Sequence, residues 1–272
     1  MSEKKKVALI ELNPYHGECL YSQLRYLKSD AYDVTLFCNK SHEATISSFD
    51  IVADRSFFWD MKRFGNLLKI RRYLIDNRVE IVILNTIQGG RVLKFTLLPF
   101  PSWMKFVGTL HNIEKLNGSF GQKLICRKIQ RIYLLAEYLK DSFARYSKIP
   151  CVSYNSSYVP KYNGTDVEKK DGEIWAVVPG SIEYKRRDYI FLLDVAKQAN
   201  ECVKFILRGN ARKGEGPVFL KKVEEVGLLD RFVTFDSFVS NELFQSYMEK
   251  ADWLLPLIRR GSLLADDYMN YK

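Results

Sequence analysis

The chain has 272 residues, of which 47% are hydrophobic, so it can form packed cores and a disordered chain is excluded. Its formal net charge of +10 indicates an anionic partner: a nucleotide, a nucleic acid or an acidic lipid. The five cysteines are scattered, odd in number and without metal-ligand spacing, which favours a reduced, cytosolic protein. No apolar run is long enough to span a bilayer, and we expect no secretion signal.

Short apolar segments alternate with amphipathic ones in the first half of the chain. The pattern predicts strands over Val7–Leu12, Asp33–Cys38, Glu80–Asn85, Lys105–Leu110 and Arg131–Ala136, and around Val152. It predicts helices through Leu20, Leu24 and Leu27, over Asp60–Asp76 and near Gln122–Ile129. This alternation is typical of a parallel, doubly wound α/β sheet.

The second half repeats the same unit after a polar segment, Val159–Gly172, which is the best linker candidate. Strands are predicted over Glu173–Gly180, Val203–Gly209, Arg231–Phe235 and Asp252–Pro256. We therefore expect a first Rossmann-like domain over 1–160, a linker over 161–171 and a second Rossmann-like domain over 172–272. A ligand cleft between the two domains is the default expectation.

Ligands of such sheets bind at the carboxyl ends of the strands. In the second half the residues at these positions are Gly180, Lys185, Arg186, Arg187, Gly209, Asn210 and Pro256. Small residues allow close approach of the backbone, and cations near a helix N-terminus suit a diphosphate. For Gly209 and Asn210 an ordinary strand-end turn is the equally weighted alternative.

Several motifs follow one another in an order that is known from one family. They are Val177–Ile182 followed by Lys185–Arg187, then Ile206–Asn210, Gly227–Val233 and Ala251–Pro256, with Thr109–His111 in the first half. By these motifs the chain resembles the GT-B glycosyltransferases of group one, the retaining, nucleotide-sugar-dependent type. The resemblance implies two Rossmann-like parallel-sheet domains that face a cleft, with an acceptor-side first domain and a nucleotide-sugar-binding second domain.

Three departures from the family pattern stand out. Ser181 replaces an arginine that often follows the first glycine, and the first loop has one glycine, Gly17, where many members have a pair. The chain ends at Lys272, before the helix in which the family carries an acidic residue for the donor. We therefore expect an incomplete second domain and an open sheet edge near Leu254–Leu264.

The resemblance implies transfer of a sugar from a nucleotide-diphosphate sugar to a glycan, lipid-linked or other hydroxyl acceptor. The nucleotide sugar is then a substrate, and no cofactor is expected. Lys185, Arg186 or Arg187 would stabilise the charge of the departing diphosphate without a metal, while Ser181 would lie in the same site. No Asp-x-Asp motif and no cluster of Cys or His stands out in the sequence, so no metal residues are predicted. The alternative is a non-catalytic GT-B-like binding or partner protein.

Three residues of the first half are candidates for catalysis. His111 carries the Thr-x-His match, and His16 also follows a predicted strand, so we expect both to face the cleft. Either imidazole could contact the donor sugar or act as a base toward an acceptor hydroxyl, with Glu18 as an alternative carboxylate base.

Basic and apolar residues occur together in the helix over Asp60–Asp76 and in the segment Arg91–Leu110. They could form a patch that lies on an anionic membrane, which suits a cytoplasmic protein at the inner face of the membrane. A core helix and strand with a solvated face is the favoured alternative. Because no nucleic-acid-binding module is recognisable, no nucleic-acid partner is expected.

Overall fold

The computed structural model describes residues 4–17, 19–111, 119–135, 137, 139–145, 147–153, 165–185, 187–237 and 239–257. The chain divides into two compact units, Met1–Lys161 and Tyr162–Lys272. Among the described residues no helix is both long enough and apolar enough to cross a membrane.

The first unit contains a sheet of seven strands within the described residues. The strands are β1 (Lys5–Glu11), β2 (Tyr32–Asn39), β3 (Arg55–Trp59), β4 (Ile81–Leu84), β5 (Lys105–Leu110), β6 (Arg131–Leu134) and β7 (Cys151–Ser153). They run parallel in the order β3-β2-β1-β4-β5-β6-β7. From β1 the chain adds β2 and β3 on one side of the sheet, and it then adds β4 to β7 on the other side. The order of the strands therefore reverses between the neighbours β1 and β4. In open α/β sheets this reversal point is where ligands bind.

Helices cover both faces of this sheet. They are α1 (Cys19–Leu27), α2 (Glu43–Ser47), α3 (Phe64–Asp76), α4 (Gly90–Thr96), α5 (Phe120–Lys128) and α6 (Leu139–Ala144). Leu20 of α1 belongs to a cluster on one face with Leu36, whereas Leu67 of α3 belongs to a second cluster with Ile10 and Phe106. Because both faces are covered, the central strands consist of almost continuous apolar residues.

The second unit contains four parallel strands in its described part. They are β8 (Ile174–Val178), β9 (Val203–Asn210), β10 (Phe232–Phe235) and β11 (Trp253–Leu254), in the order β10-β9-β8-β11. The helices are α7 (Tyr189–Gln198), α8 (Gly216–Glu225) and α9 (Asn241–Glu249). Val167, within the segment predicted as a linker, is buried in the same cluster as Trp175 and Phe244.

The predicted fold class, α/β with two parallel sheets, is confirmed. The sequence pattern missed β3, because this strand lies at the edge of the sheet and its residues are exposed or half-buried. It also placed the start of α3 at Asp60, whereas the helix begins at Phe64. At the edge of the described part of the second sheet, β11 exposes Trp253 and Leu254, and residues 258–264 of the predicted open edge lie outside the described residues.

Candidate functional site

Gly180 lies just beyond the end of β8 and has a φ of +88°, a left-handed conformation that favours glycine. Its position also has no room for a side chain, since a Cβ there would collide with the guanidinium of Arg187. The Arg187 side chain therefore packs directly against the Gly180 backbone. Any larger residue at position 180 would displace this cation.

Gly209, near the end of β9, brings a second strand end to the same place. A Cβ on Gly209 would lie 2.7 Å from the backbone nitrogen of Ile182 and 3.2 Å from the carbonyl oxygen of Gly180. The segment after β8 and the end of β9 are therefore in backbone contact. Parallel pairing of β8 with β9 explains why both lie at one edge of the sheet.

A cavity of about 400 Å³ opens beside this contact. Its charged and polar lining consists of Ser181, Glu183, Lys185, Asn210, Lys213 and Glu215. The Glu183 carboxylate accepts a hydrogen bond from the Ser181 hydroxyl, and the Glu215 carboxylate accepts one from the Tyr184 backbone amide. The side chains of Lys185 and Lys213 are exposed, so their ammonium groups can reach an anion in the cavity.

Most of the residues predicted to bind the donor come together at this edge. Lys185 and Arg187 precede α7 rather than opening it, because Asp188 caps the helix by accepting a hydrogen bond from the amide of Phe191. Pro256 follows β11, and the carbonyl of the next residue, Leu257, accepts a hydrogen bond from the Asp188 amide at 2.8 Å. Arg186 lies outside the described residues.

A buried carboxylate ends β1 in the first unit. Glu11 is fully buried, and it accepts hydrogen bonds from the Asn13 amide at 2.7 Å, from Asn85 Nδ2 at 2.6 Å and from Thr86 Oγ1 at 2.6 Å. Burial raises the pKa of Glu11 to about 7, against the opposing effect of these three hydrogen bonds and of nearby His16. The carboxyl group is thus placed to change its charge near neutral pH.

Asn85, which directly follows β4, connects this carboxylate to both candidate histidines. Its Nδ2 also donates to the His16 carbonyl at 2.9 Å, and its own carbonyl contacts His111 Nε2 at 2.9 Å. Its Oδ1 accepts a hydrogen bond from Gln23 Nε2 of α1, also at 2.9 Å. One asparagine therefore fixes the loop of His16 and the ring of His111 relative to Glu11.

The two predicted histidines do lie together. Their rings stack with centroids 4.1 Å apart and planes only 3° from parallel, and His16 has a φ of +64°, which is uncommon for a residue with a side chain. Cys19, the first residue of α1, completes a group of three whose ligand atoms all lie within 4.8 Å of one another. Glu18, the alternative base, lies outside the described residues.

Glu11, Asn85 and Cys19 are not among the site residues predicted from the sequence, and the group that His16, Cys19 and His111 form in space was not predicted either. Residue spacing in the sequence could not predict this group, because His111 lies far along the chain from His16 and Cys19. One signal for Glu11 was available, since a carboxylate at the end of an otherwise apolar strand needs buried partners. The folded sheet supplies those partners from residues 85 and 86.

Gly17, in the loop between β1 and α1, packs closely against the ring of His42. A Cβ at this position would collide with the ring of His42, whose Nε2 contacts the carbonyl of Asn13 at 2.9 Å. The buried His42 therefore supports the loop between β1 and α1 from below, although the sequence assigned it no role. The predicted single glycine of this loop is required by that packing.

No protein-family model matches the chain, and no curated protein matches its sequence. Solved structures do match its fold. A Listeria monocytogenes protein described as a UDP-N-acetylglucosamine 2-epimerase matches with a TM-score of 0.66 at 10% identity, over 93% of this chain and 74% of that one. The HepE protein of Anabaena, in complex with UDP-glucose, matches with a TM-score of 0.63 at 15% identity, over 92% and 72%. Sucrose-phosphate synthase of Thermosynechococcus elongatus matches with 0.56 at 12%, over 92% and 75%. The chain therefore has a fold of the GT-B type.

Proposed function

We propose that the chain is a glycosyltransferase that takes a sugar from a nucleoside-diphosphate sugar and transfers it to a hydroxyl group. The observation that carries this proposal is the contact of Gly180 with Gly209, beside the cations Lys185 and Arg187. The fold gives further support, since the solved structures of this shape include one with UDP-glucose bound.

The chemistry of the second unit suits a diphosphate. Without side chains, Gly180 and Gly209 let the two strand ends and Arg187 pack closely beside the cavity, and the N-terminus of α7 adds its favourable dipole. When the glycosidic bond breaks, negative charge grows on the departing diphosphate. Lys185 and Arg187 would stabilise that charge with donors fixed in advance, which requires no metal ion.

The first unit would serve the acceptor. His111 or His16 would accept a proton from the attacking hydroxyl or contact the donor sugar, and Glu18 keeps its place as the alternative base. The contact of His111 with Asn85 holds the imidazole in one orientation. Glu11 and Asn85 act through these histidines, so we assign them positioning roles.

A glycan or a lipid-linked sugar is the proposed acceptor. For a lipid-linked acceptor, α3 offers Phe64 and Leu68, which are 50% and 43% exposed, next to the exposed Lys69 and Arg72. Apolar side chains beside cations favour peripheral contact with an anionic membrane. Stronger binding to anionic than to neutral vesicles, lost in a Phe64→Ser/Leu68→Ser variant, is the expected result of a flotation assay.

Nucleotide binding tests the donor site first. Titration calorimetry with UDP and UDP-glucose should show that Arg187→Ala weakens the affinity by about tenfold or more, as expected for one charge-assisted contact. Arg187→Lys keeps the charge but loses the forked geometry, so we expect a smaller loss. Lys185→Ala should also weaken binding. The matched control is Lys197→Ala, an exposed cation in the last turn of the same helix, α7, where no change is expected.

A turnover assay distinguishes a glycosyltransferase from a non-catalytic binding protein. Incubation with a panel of nucleotide sugars and hydroxyl acceptors should release the nucleotide diphosphate and yield a glycoside, with the Arg187→Ala rate reduced further than its affinity. Binding without release of the diphosphate would favour a non-catalytic GT-B-like protein. If Arg187→Ala and Lys185→Ala both bind like the parent chain, the donor-site assignment is wrong.

A further inference from the structure

Two imidazoles and a thiol converge in the first unit at the carboxyl ends of β1 and β5. One nitrogen of His16, one nitrogen of His111 and the sulfur of Cys19 all lie within 4.8 Å of one another. All three residues are half-buried, so the group is partly shielded from water but still reachable from outside. Within the described residues this is the one group of three or more His, Cys, Asp or Glu side chains whose ligand atoms meet in this way.

The tautomer of His111 is set by its neighbour. A backbone carbonyl can only accept a hydrogen bond, so the contact of His111 Nε2 with the Asn85 carbonyl places the proton on Nε2. In a neutral imidazole the lone pair then belongs to Nδ1. Metal-bound histidines commonly donate their second ring N–H to a carbonyl in this manner, which fixes the ring and increases the basicity of the ligating nitrogen.

The stacked rings require one adjustment. A metal ion lies in the plane of each imidazole that binds it, and two parallel planes cannot share such a point. One ring must turn away from the stack on binding. His111 is fixed through Asn85, so His16, which occupies a left-handed backbone conformation in the loop before α1, is the ring that turns.

We propose that His16, Cys19 and His111 form a binding site for a thiophilic divalent transition metal of the zinc class. Two imidazole nitrogens and one thiolate are ligands that suit Zn²⁺, and hard cations such as Mg²⁺ prefer oxygen ligands instead. Three protein ligands leave a fourth position open for water or for an oxygen of a bound molecule. Binding replaces the thiol proton of Cys19 by the metal, so one proton is released for each ion bound.

This site lies among the histidines that we assign to the acceptor, so it bears on the proposed function. A metal ion would occupy the lone pairs of both imidazoles and prevent either from accepting a proton from a hydroxyl group. The ion is therefore an inhibitor of transfer, not a cofactor for it. The diphosphate-binding residues belong to the second unit and contribute nothing to the site, so metal binding itself does not depend on the proposed function.

Cobalt gives a direct measurement on the full chain without any nucleotide or acceptor. Titration of the metal-free protein with Co²⁺ should give one ion per chain, with visible absorption typical of tetrahedral Co²⁺ and a thiolate-to-cobalt charge-transfer band in the near ultraviolet. Zn²⁺ should displace the cobalt. Cys19→Ala should abolish the charge-transfer band, and His111→Ala should weaken the affinity by at least tenfold.

Cys126→Ala is the matched control, because Cys126 is also a half-buried thiol of the first unit but belongs to α5 and does not join the group of three. It should bind Co²⁺ like the parent chain.

Protection of the Cys19 thiol from alkylation gives a second measurement that needs no variant. Zn²⁺ should slow alkylation of Cys19 at least tenfold and leave that of Cys126 unchanged, as mapped by peptide mass spectrometry. Absence of stoichiometric Co²⁺ binding, or equal charge-transfer bands in Cys19→Ala and the parent, overturns the proposal. A parent chain that binds Co²⁺ but not UDP would instead count against the donor site alone.

Discussion

The strand ends of the two units carry different kinds of residues, although both units are parallel α/β sheets. In the first unit the polar groups at the ends of β1, β4 and β5 are buried or half-buried and hydrogen-bonded to one another around Glu11 and Asn85. In the second unit the ends of β8 and β9 carry glycines, with exposed cations around an open cavity. The first arrangement holds side chains in position, and the second leaves charged side chains accessible to a ligand.

The energetic consequences differ accordingly. Buried polar groups that lose a partner cost stability, because water cannot replace the missing hydrogen bond. Exposed cations cost little when removed, since solvent already screens them. Substitutions of the buried polar groups in the first unit should therefore affect mainly folding, and substitutions of the exposed cations in the second unit mainly ligand binding.

Asn85→Leu should have the largest effect. It removes the donor to Glu11 Oε2 and to the His16 carbonyl, and it removes the acceptor for Gln23. We expect the free energy of unfolding of the first unit to fall by about 4 kcal/mol, because several buried groups lose partners together. Urea unfolding followed by circular dichroism measures this change, and calorimetry should show UDP affinity within twofold of the parent.

A variant that removes fewer hydrogen bonds gives a smaller loss of stability for comparison. Thr86→Val removes a single hydrogen bond to Glu11 and should cost about 1 kcal/mol. If Asn85→Leu costs no more than Thr86→Val, Asn85 does not connect the network. If either variant lowers UDP affinity in step with stability, the contrast between the two units fails.

The second prediction concerns pH. In the folded chain burial raises the pKa of Glu11 to about 7, whereas the unfolded chain loses this proton near its ordinary value of 4.5. The folded state therefore binds more protons between these values, so stability falls as the pH rises from 4.5 to about 7 and is level above that. At about 1.4 kcal/mol per pH unit the total loss is roughly 3 kcal/mol.

Glu11→Gln is the variant that tests this slope, whatever its absolute stability, because an amide does not titrate in this range. Urea unfolding at several pH values should show a much flatter profile than that of the parent. His16 lies close enough to Glu11 for its charge to lower the Glu11 pKa, so His16→Asn is the necessary companion. Persistence of the slope in Glu11→Gln, or its loss in His16→Asn, would assign the pH dependence to another group.

The contact between the two strand ends of the second unit should be the next most sensitive. Gly209→Ala places a methyl group 2.7 Å from the Ile182 backbone nitrogen, so the backbone must shift. We expect a loss of about 2 kcal/mol in stability and at least tenfold in UDP affinity. Gly65→Ala is the control, since a Cβ at that position on α3 would meet nothing within 4 Å beyond its own stretch of helix, and alanine should stabilise the helix slightly. Unchanged UDP affinity in Gly209→Ala would separate this contact from the nucleotide.

The sequence was sufficient to predict the parallel α/β class because the central strands are covered on both faces and so consist of continuous apolar residues. It failed at β3, an edge strand with half-buried residues, and at short helices such as α2 and α4, which span five and seven residues. Helices of this length present too few turns for an apolar period to emerge.

The two sites differ in the same respect. The positions of Gly180 and Gly209 follow from counting residues beyond a predicted strand, because parallel strands end at one edge. The network of Glu11, Asn85 and His111 depends on hydrogen bonds between residues far apart in the chain, which no local pattern records. The residues that lie at a strand end were therefore predictable, whereas the hydrogen bonds that join residues of different strand ends were not.

The smallest effect is expected for Arg212→Ala, which distinguishes a specific diphosphate site from a general attraction of anions. Arg212 follows β9 and pairs with Asp236 at 2.6 Å, but both side chains are about 70% exposed. The variant removes the same single charge as Arg187→Ala, from the same edge of the sheet. If a specific site holds the diphosphate, Arg212→Ala should change UDP affinity by less than about threefold, and stability should not change measurably, because exposed pairs contribute little.

Titrations at low and high salt distinguish a specific site from a general attraction of anions. Salt would screen the attraction of a diffuse basic surface, whereas a direct contact between Arg187 and the diphosphate would persist. Equal losses in Arg212→Ala and Arg187→Ala, both abolished by salt, would show that the edge attracts anions generally and that the packing of Arg187 on Gly180 has no part in binding.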